Sequence, residues 1–282
     1  MTTTRFAPSP TGRIHLGHAF SAALGHARAR ASDGRFLLRI EDLDPGRCRP
    51  EHVAGIEEDL CWLGLEWDGE PLVQSERTDI YAAALDRLRA QGLVYPCFCT
   101  RADIAASLSA PHGDAGAAYP GTCRGLPDDP QRRADTPHSW RLDSTAALAR
   151  TGLPSWTEDD GRSFTATSAD IGDAILARKD APSSYHLACV VDDADSGVTL
   201  VVRGVDLRAS TPTQRLLQDL LSLPEPAYLH HPLITHMDGK RLAKRDLALT
   251  LAALRDSGVD GPSLVADLLE AKLPFGFALA AE

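Results

Sequence analysis

The sequence has no apolar run long enough to span a bilayer, and its N-terminus lacks the apolar core of a secretory signal peptide. These absences exclude a membrane-spanning helix and a secretory leader from the reading, and set a soluble cytoplasmic protein as the expectation. An overall excess of basic charge is also missing: the net charge is −10. That argues against a surface basic all over, but a local basic patch on an acidic background still leaves room for a nucleic-acid partner. There are no internal repeats. No Gly-Lys-Ser/Thr follows the first glycine-bearing turn, which excludes a P-loop there. In a reducing compartment the six cysteines suit reduced thiols or metal ligands better than disulfides.

What is present is a chain of 282 residues, 43% hydrophobic and 24% charged, enough for a sizeable core in about two domains or one domain with a large insertion. "TTRFAPSP" reads as a short strand broken by prolines, and Leu16 to Arg30 as a helix of several turns. "GRFLLRIEDL" reads as a strand ending in the acidic patch Glu41, Asp42 and Asp44. Helical periodicity follows Pro50 and returns in "TDIYAAALDRLRAQG", with Thr78 as N-cap and Gly92 as stop. Strand, helix, strand, helix is the order of a parallel α/β sheet. Residues 100–137, rich in Gly, Pro and Ala, read as an insertion rather than sheet. "SYHLACVVDDADSGVTLVVRGVDL" reads as two β-rich runs around an acidic turn, "TPTQRLLQDLLSL" as helix, and the stretch from about Ala248 as helical.

"RFAPSPTGRIHLGH" sets His15 and His18 directly after a Pro/Gly-rich turn. A bare H-x-x-H is compatible with incidental histidines, and a zinc pair would need a third ligand nearby. A strand, a turn and a helix N-terminus, however, offer free backbone N–H groups and a positive dipole end, a natural seat for phosphate. The i, i+3 spacing puts both imidazoles on one face. Separately, Cys97 and Cys99 with Cys123 after a flexible loop make a three-thiolate start for zinc, with Cys48, Cys61 and Cys189 left as structural. Chemistry alone would choose His112 as the fourth ligand.

"PSPTGRIHLGH" resembles the HIGH signature of class I aminoacyl-tRNA synthetases in the form found in the glutamyl branch. "YHLACVVDD", "LVVRGVDLRASTPTQ" and "GKRLAKRD" resemble three further segments of that branch, the last in the place of the KMSKS loop. Only about 37 residues follow Arg245, where longer members continue into an anticodon-binding region. The chain is therefore similar to the short paralogues that activate glutamate and attach it to the queuosine base in the anticodon of tRNA(Asp). "CFC" with "YPGTC" resembles the zinc site of that group, which points to Tyr119 rather than His112 as the fourth ligand.

The resemblance implies a Rossmann-like α/β fold with a zinc-bearing insertion, divided as 1–96 and 170–235 for the two catalytic halves, 97–169 for the insertion, and 236–282 for the KMSKS-like loop and a helical end. It implies a ligase whose His15, His18 and Lys244 are catalytic, with Arg241 joining them on ATP. It places Arg5, Ala7, Ser9, Glu41, Tyr185 and Arg203 around glutamate, with Glu41 facing the α-ammonium. Zinc, and Mg²⁺ with ATP, are the implied cofactors. L-glutamate, ATP and queuosine-bearing tRNA(Asp) are the implied partners of a cytoplasmic monomer with no membrane contact. The loop departs from the family pattern: Arg241-Leu242-Ala243-Lys244-Arg245 keeps the second lysine but has Arg for the first and no serine hydroxyl. Two other readings stay open, a truncated glutamyl-tRNA synthetase charging a tRNA 3′ end and a non-catalytic tRNA-binding paralogue.

Overall fold

A computed structural model describes residues 1–100, 102–103, 119–237, 250–274 and 276–280. Its framework is parallel sheet. Strand β1 (Thr3–Phe6) pairs in parallel with β2 (Arg35–Ile40), in the register Thr3↔Arg35 to Phe6↔Leu38. Strand β2 pairs in parallel with β3 (Leu72–Val73). The crossovers are helices α1 (Leu16–Arg30) and α2 (Pro50–Leu63), and α3 (Thr78–Ala90) follows β3.

Each helix has a readable cause. α1 buries Ala19, Ala22, Ala23 and Gly25, small residues that let it lie close on the sheet. α2 carries Pro50 at its first position and ends on Gly64 at φ 72°, where a residue with a Cβ would be strained. Thr78 is the first residue of α3 rather than its cap; Arg77 precedes it and makes no side-chain capping bond. The Thr78 backbone is already right-handed, at φ −55° and ψ −36°, whereas a capping hydroxyl needs an extended residue outside the helix.

The next stretch holds β4 (Val94–Cys97), α4 (Pro130–Asp135), β5 (Ser139–Leu142), α5 (Ser144–Thr151), the hairpin β6 (Ser155–Thr157) with β7 (Ser163–Thr165), and β8 (Ile175–Ala177). Here β4, β5 and β8 form an antiparallel sheet. Parallel pairing then resumes between β9 (Leu200–Gly204) and β10 (Ala227–His231), which flank the helix Thr211–Leu221. The β9 end of this pair meets β1, where the Thr199 N–H donates to the Thr3 carbonyl at 2.9 Å.

One segment departs from the sequence reading. Tyr185–Asp195, expected as a β-rich run and an acidic turn, is helix α6, capped by the Ser184 side chain on the Leu187 N–H. With Thr211–Leu221 taken as α7, the chain ends in α8 (Leu251–Asp256), α9 (Gly261–Leu269) and β12 (Phe277–Leu279). Strand β12 pairs antiparallel with β11 (Ile234–His236), so the terminal stretch is not wholly helical. Gly261 is required where α9 meets α2, because a Cβ there would lie 2.0 Å from the Trp62 carbonyl oxygen. Among the described residues two large apolar cores form, beside a small cluster of Tyr95, Cys97 and Cys123. One joins α1, β1, β2 and α2 to Leu251, Leu264 and Leu268, and the other joins α3, α6 and α7 to Leu142, Trp156 and Leu176. Among the described residues no helix is long and apolar enough to cross a membrane.

Candidate active site and metal cluster

The carboxyl ends of parallel strands are where open α/β sheets leave a crevice for ligands. Here β1 runs out into Ala7-Pro8-Ser9, β2 into Glu41, and β9 and β10 into Gly204 and His231. A cleft of about 630 Å³ opens at these ends. Arg5, Ala7, Ser9, His15, His18, Glu41, Tyr185 and Arg203 all line it, so the structure brings together every sequence-expected site residue that it describes, apart from the metal cluster. Arg241, Lys244 and His112 lie outside the described residues. The chain returns beside the cleft, where Thr250 bridges to His15 and the Leu251 N–H donates to the Ile14 carbonyl at 3.1 Å.

His15 and His18 build the start of α1 themselves. His15 Nδ1 accepts from the Gly17 N–H at 3.2 Å, and His18 Nδ1 accepts from the His15 N–H at 3.2 Å. An Nδ1 that accepts from the backbone cannot carry the proton, so each neutral ring holds it on Nε2. The rings lie 3.9 Å apart, centroid to centroid. The helix thus presents two Nε2–H donors together with its own positive end.

Arg5 and Glu41, which also line the cleft, belong to a buried charge cluster. The Glu41 N–H donates to the Pro8 carbonyl at 3.1 Å, tying two strand ends together. Arg39 reaches Glu41 at 3.0 Å, binds Asp193, and donates to the Cys189 sulfur at 3.3 Å. Arg5 donates to Asp193 at 3.0 Å and to the Val202 carbonyl at 3.3 Å. Burial alone would push the Asp193 carboxyl up, but Arg39 and Arg5 outweigh it and hold it at about 2. Glu41 is shifted the other way, because burial outweighs the pull of Arg39. A cation beside Glu41 would therefore relieve a carboxylate that is costly to keep charged. Burial also raises the Tyr185 phenol to about 12, so it faces the cleft as a neutral hydroxyl.

Arg203, 4% exposed, is held by Gln214 Oε1 at 2.6 Å, Thr211 Oγ1 at 2.8 Å, His230 Nε2 at 3.2 Å and the Tyr185 hydroxyl at 3.4 Å. Sequence reasoning missed Arg39, Asp193, Gln214 and His230. Arg39 was detectable, because it shares a strand face with Glu41 at spacing two. Asp193 was hidden by the reading of its segment as a turn.

Far from these groups in sequence order, the thiols of Cys97, Cys99 and Cys123 lie within 4.8 Å of one another, a donor set able to hold a metal ion. The Tyr119 hydroxyl sits among them, 3.4 Å from Cys97 and 3.7 Å from Cys99, and it accepts from the Cys123 N–H at 2.8 Å.

Comparison with known proteins agrees with this arrangement. The family model described as tRNA synthetases class I (E and Q), catalytic domain, matches residues 1–269. A Rhodobacter capsulatus protein named glutamyl-Q tRNA(Asp) synthetase is 48% identical over 265 residues, 90% of this chain and 95% of that one. A Nocardia farcinica protein of the same name is 46% identical over 94% of this chain and 83% of its own length. The crystal structure of a glutamate tRNA ligase from Elizabethkingia meningosepticum, in complex with its amino acid, matches at TM-score 0.73 and 27% identity over 92% of this chain. The chain spans about half the length of that ligase, 53%. From its first strand to its last long helix, this chain belongs to the class I tRNA synthetases of the glutamate and glutamine type and carries their catalytic domain.

Proposed function

We propose that this protein condenses L-glutamate with ATP to glutamyl-adenylate and pyrophosphate, then transfers the glutamyl group to the queuosine base in the anticodon of tRNA(Asp). The observation that carries the reading is the cleft that two imidazole donors at a helix N-terminus line together with two buried arginines and a carboxylate. The names of the relatives supply the RNA acceptor.

In this reading the glutamate α-ammonium pairs with Glu41, and its side-chain carboxylate meets Arg203, helped by Arg5 and Tyr185. Ala7 and Ser9 complete the wall. A buried guanidinium with its partners already fixed favours a carboxylate over an amide, because glutamine would turn N–H donors toward donors. The α-carboxylate attacks the α-phosphorus of ATP and pyrophosphate leaves. His15 and His18 donate to the phosphate oxygens as charge builds, and Lys244 and Arg241 join them. Mg²⁺, when bound with ATP, offsets phosphate charge. A queuosine hydroxyl then attacks the acyl carbon, AMP departs, and a base-labile ester remains.

The same reading keeps the division into catalytic halves 1–96 and 170–235, an insertion 97–169 and an end 236–282, working as a cytoplasmic monomer. Labelled glutamate is expected on queuosine-modified tRNA(Asp) and not on the unmodified form. Equal labelling of both forms, or charging of tRNA(Glu) at its 3′ end, would overturn the acceptor in favour of a truncated glutamyl enzyme. No labelling and no ATP–pyrophosphate exchange would leave a tRNA-binding paralogue.

The insertion carries its own expectation. Cys97, Cys99 and Cys123, with Tyr119 as fourth ligand, would hold one zinc per chain. Elemental analysis is expected to find it, and Tyr119→Phe is expected to weaken its retention against a chelator. Purified protein without zinc would sink the site, while full retention in Tyr119→Phe with loss in His112→Ala would move the fourth ligand to His112.

A further inference from the structure

Arg203 does not stand by itself. Its Nε–H donates to His230 Nε2 at 3.2 Å. Since a guanidinium only donates, Nε2 must present its lone pair, and the imidazole proton belongs on Nδ1. From there it donates to Glu158 Oε1 at 2.8 Å. Glu158 accepts two further bonds, from the Trp156 indole N–H at 3.2 Å and from the His230 backbone N–H at 3.3 Å. The chain of groups is enclosed: Glu158 is 7% exposed and the His230 side chain 3%. Burial first, and then Arg203, push the imidazole down to about 4, so near neutral pH it does not become a second donor facing the guanidinium.

The backbone locks this arrangement in place. Glu158 follows β6 directly and bridges in parallel to Tyr228 on β10, with the Asp159 N–H donating to the Tyr228 carbonyl at 2.7 Å. A hairpin from the middle of the chain thereby reaches the wall of the cleft.

We infer that Glu158 and His230 are positioning residues for amino-acid selection, aiming the Arg203 guanidinium so that its terminal nitrogens meet a carboxylate in plane. The inference rests on the assignment of Arg203 to the glutamate side chain. Gln214 and Thr211 hold the two terminal nitrogens, but the Nε bond fixes the tilt of the plane. Without an acceptor at Nε2 a buried N–H is orphaned, and the guanidinium turns to satisfy it. One Nη2–H is left by these partners, and the long 3.4 Å contact to the Tyr185 hydroxyl is the one a ligand displaces most easily on Nη1. A carboxylate paired at those two points suffers from that turn more than the single acceptor of a glutamine amide does. The relay is thus a determinant of the preference for glutamate over glutamine, and it acts without touching substrate.

The test is ATP–pyrophosphate exchange with tRNA present, varying glutamate, glutamine and ATP in turn. His230→Leu is expected to raise the glutamate KM on the order of tenfold or more, leave the ATP KM within about twofold, and narrow the glutamate-to-glutamine ratio. His230→Gln, whose amide oxygen reaches the Nε2 position, is expected to recover most of the loss. Glu158→Gln, nearly isosteric, is expected to shift the same parameters by a smaller factor, because its amide must set a donor against the Trp156 or His230 N–H groups. It keeps the test decisive if His230→Leu fails to fold. Absence of glutamate-dependent exchange in the unaltered protein overturns the glutamate assignment itself. Normal exchange there, with an unchanged glutamate KM and ratio in the folded variants, overturns the relay alone. So does an equal loss toward glutamate, glutamine and ATP, the mark of a merely structural role.

Discussion

His18→Gln is expected to keep the fold and lose the reaction, with kcat for glutamate-dependent ATP–pyrophosphate exchange falling on the order of 10²–10³. The substitution separates two jobs that His18 does at once. Its Nδ1 accepts the His15 backbone N–H at 3.2 Å and so closes a capping box at the start of α1. Glutamine at the same third position reaches back to the same N–H, as it does in ordinary capping boxes. What glutamine does not reproduce is a ring donor fixed on Nε2 and packed 3.9 Å from the His15 ring. A donor that strengthens only as charge builds on phosphorus lowers kcat and kcat/KM together when removed and leaves KM nearly unchanged. His15→Ala, His18→Ala and Lys244→Ala share the kinetic expectation, but each histidine-to-alanine change also opens the cap, at about 1 kcal/mol. Thermal melts tell the variants apart, with His18→Gln staying within a few degrees of the unaltered protein. A weaker ATP affinity with kcat preserved would show that the imidazoles hold only the ground state.

The parallel frame was legible in the sequence because its strands are short apolar runs separated by helices with clean boundaries. The helix expected at Leu16 to Arg30 spans just those residues. The failure at Tyr185–Asp195 has a specific cause. Apolar residues at 187–191 occupy consecutive positions, and such a run does not distinguish a buried strand from a buried helix. The acidic residues behind it looked like a solvated turn. In the structure Asp192 is bound by Gln74, Arg77 and Tyr81 and Asp193 by Arg5 and Arg39, partners far away in the chain. Charge that is buried with distant counter-charge leaves no local pattern. The cysteine triad is the reverse case: spacing alone nominated Cys97, Cys99 and Cys123, and the fold brings their sulfurs together. Arg203 had no such signature and was nominated by resemblance, since nothing in "VVRGVDL" distinguishes a clamp from a surface cation.

Asp193→Asn is expected to cost about 3–5 kcal/mol of folding stability, the range for breaking a buried ion pair by removing one partner. The carboxylate sits between two arginines with side chains 6% and 3% exposed, and its own is 5% exposed. An amide leaves two buried cations facing each other without the carboxylate between them, still bonded to Glu41, the Cys189 sulfur and the Val202 carbonyl. That loss is a large share of the 5–15 kcal/mol typical of a folded domain, and urea unfolding at pH 7 would read it as a lower midpoint with an unchanged slope. The pH dependence gives a second reading with a definite sign. Because Asp193 is held at about 2, below the ordinary aspartate value near 3.9, its stabilisation is complete above about pH 4. It fades as the pH falls toward 2. The unaltered protein therefore loses stability over that interval, and Asp193→Asn, having no carboxyl there, loses less. The same change frees Arg5 from one of its anchors at the cleft wall, so glutamate KM should rise even where the variant remains folded. A variant as stable as the unaltered protein at pH 7, with the same acid limb, would show that Arg5 and Arg39 find other counter-charges and that Asp193 is not the hub of the cluster.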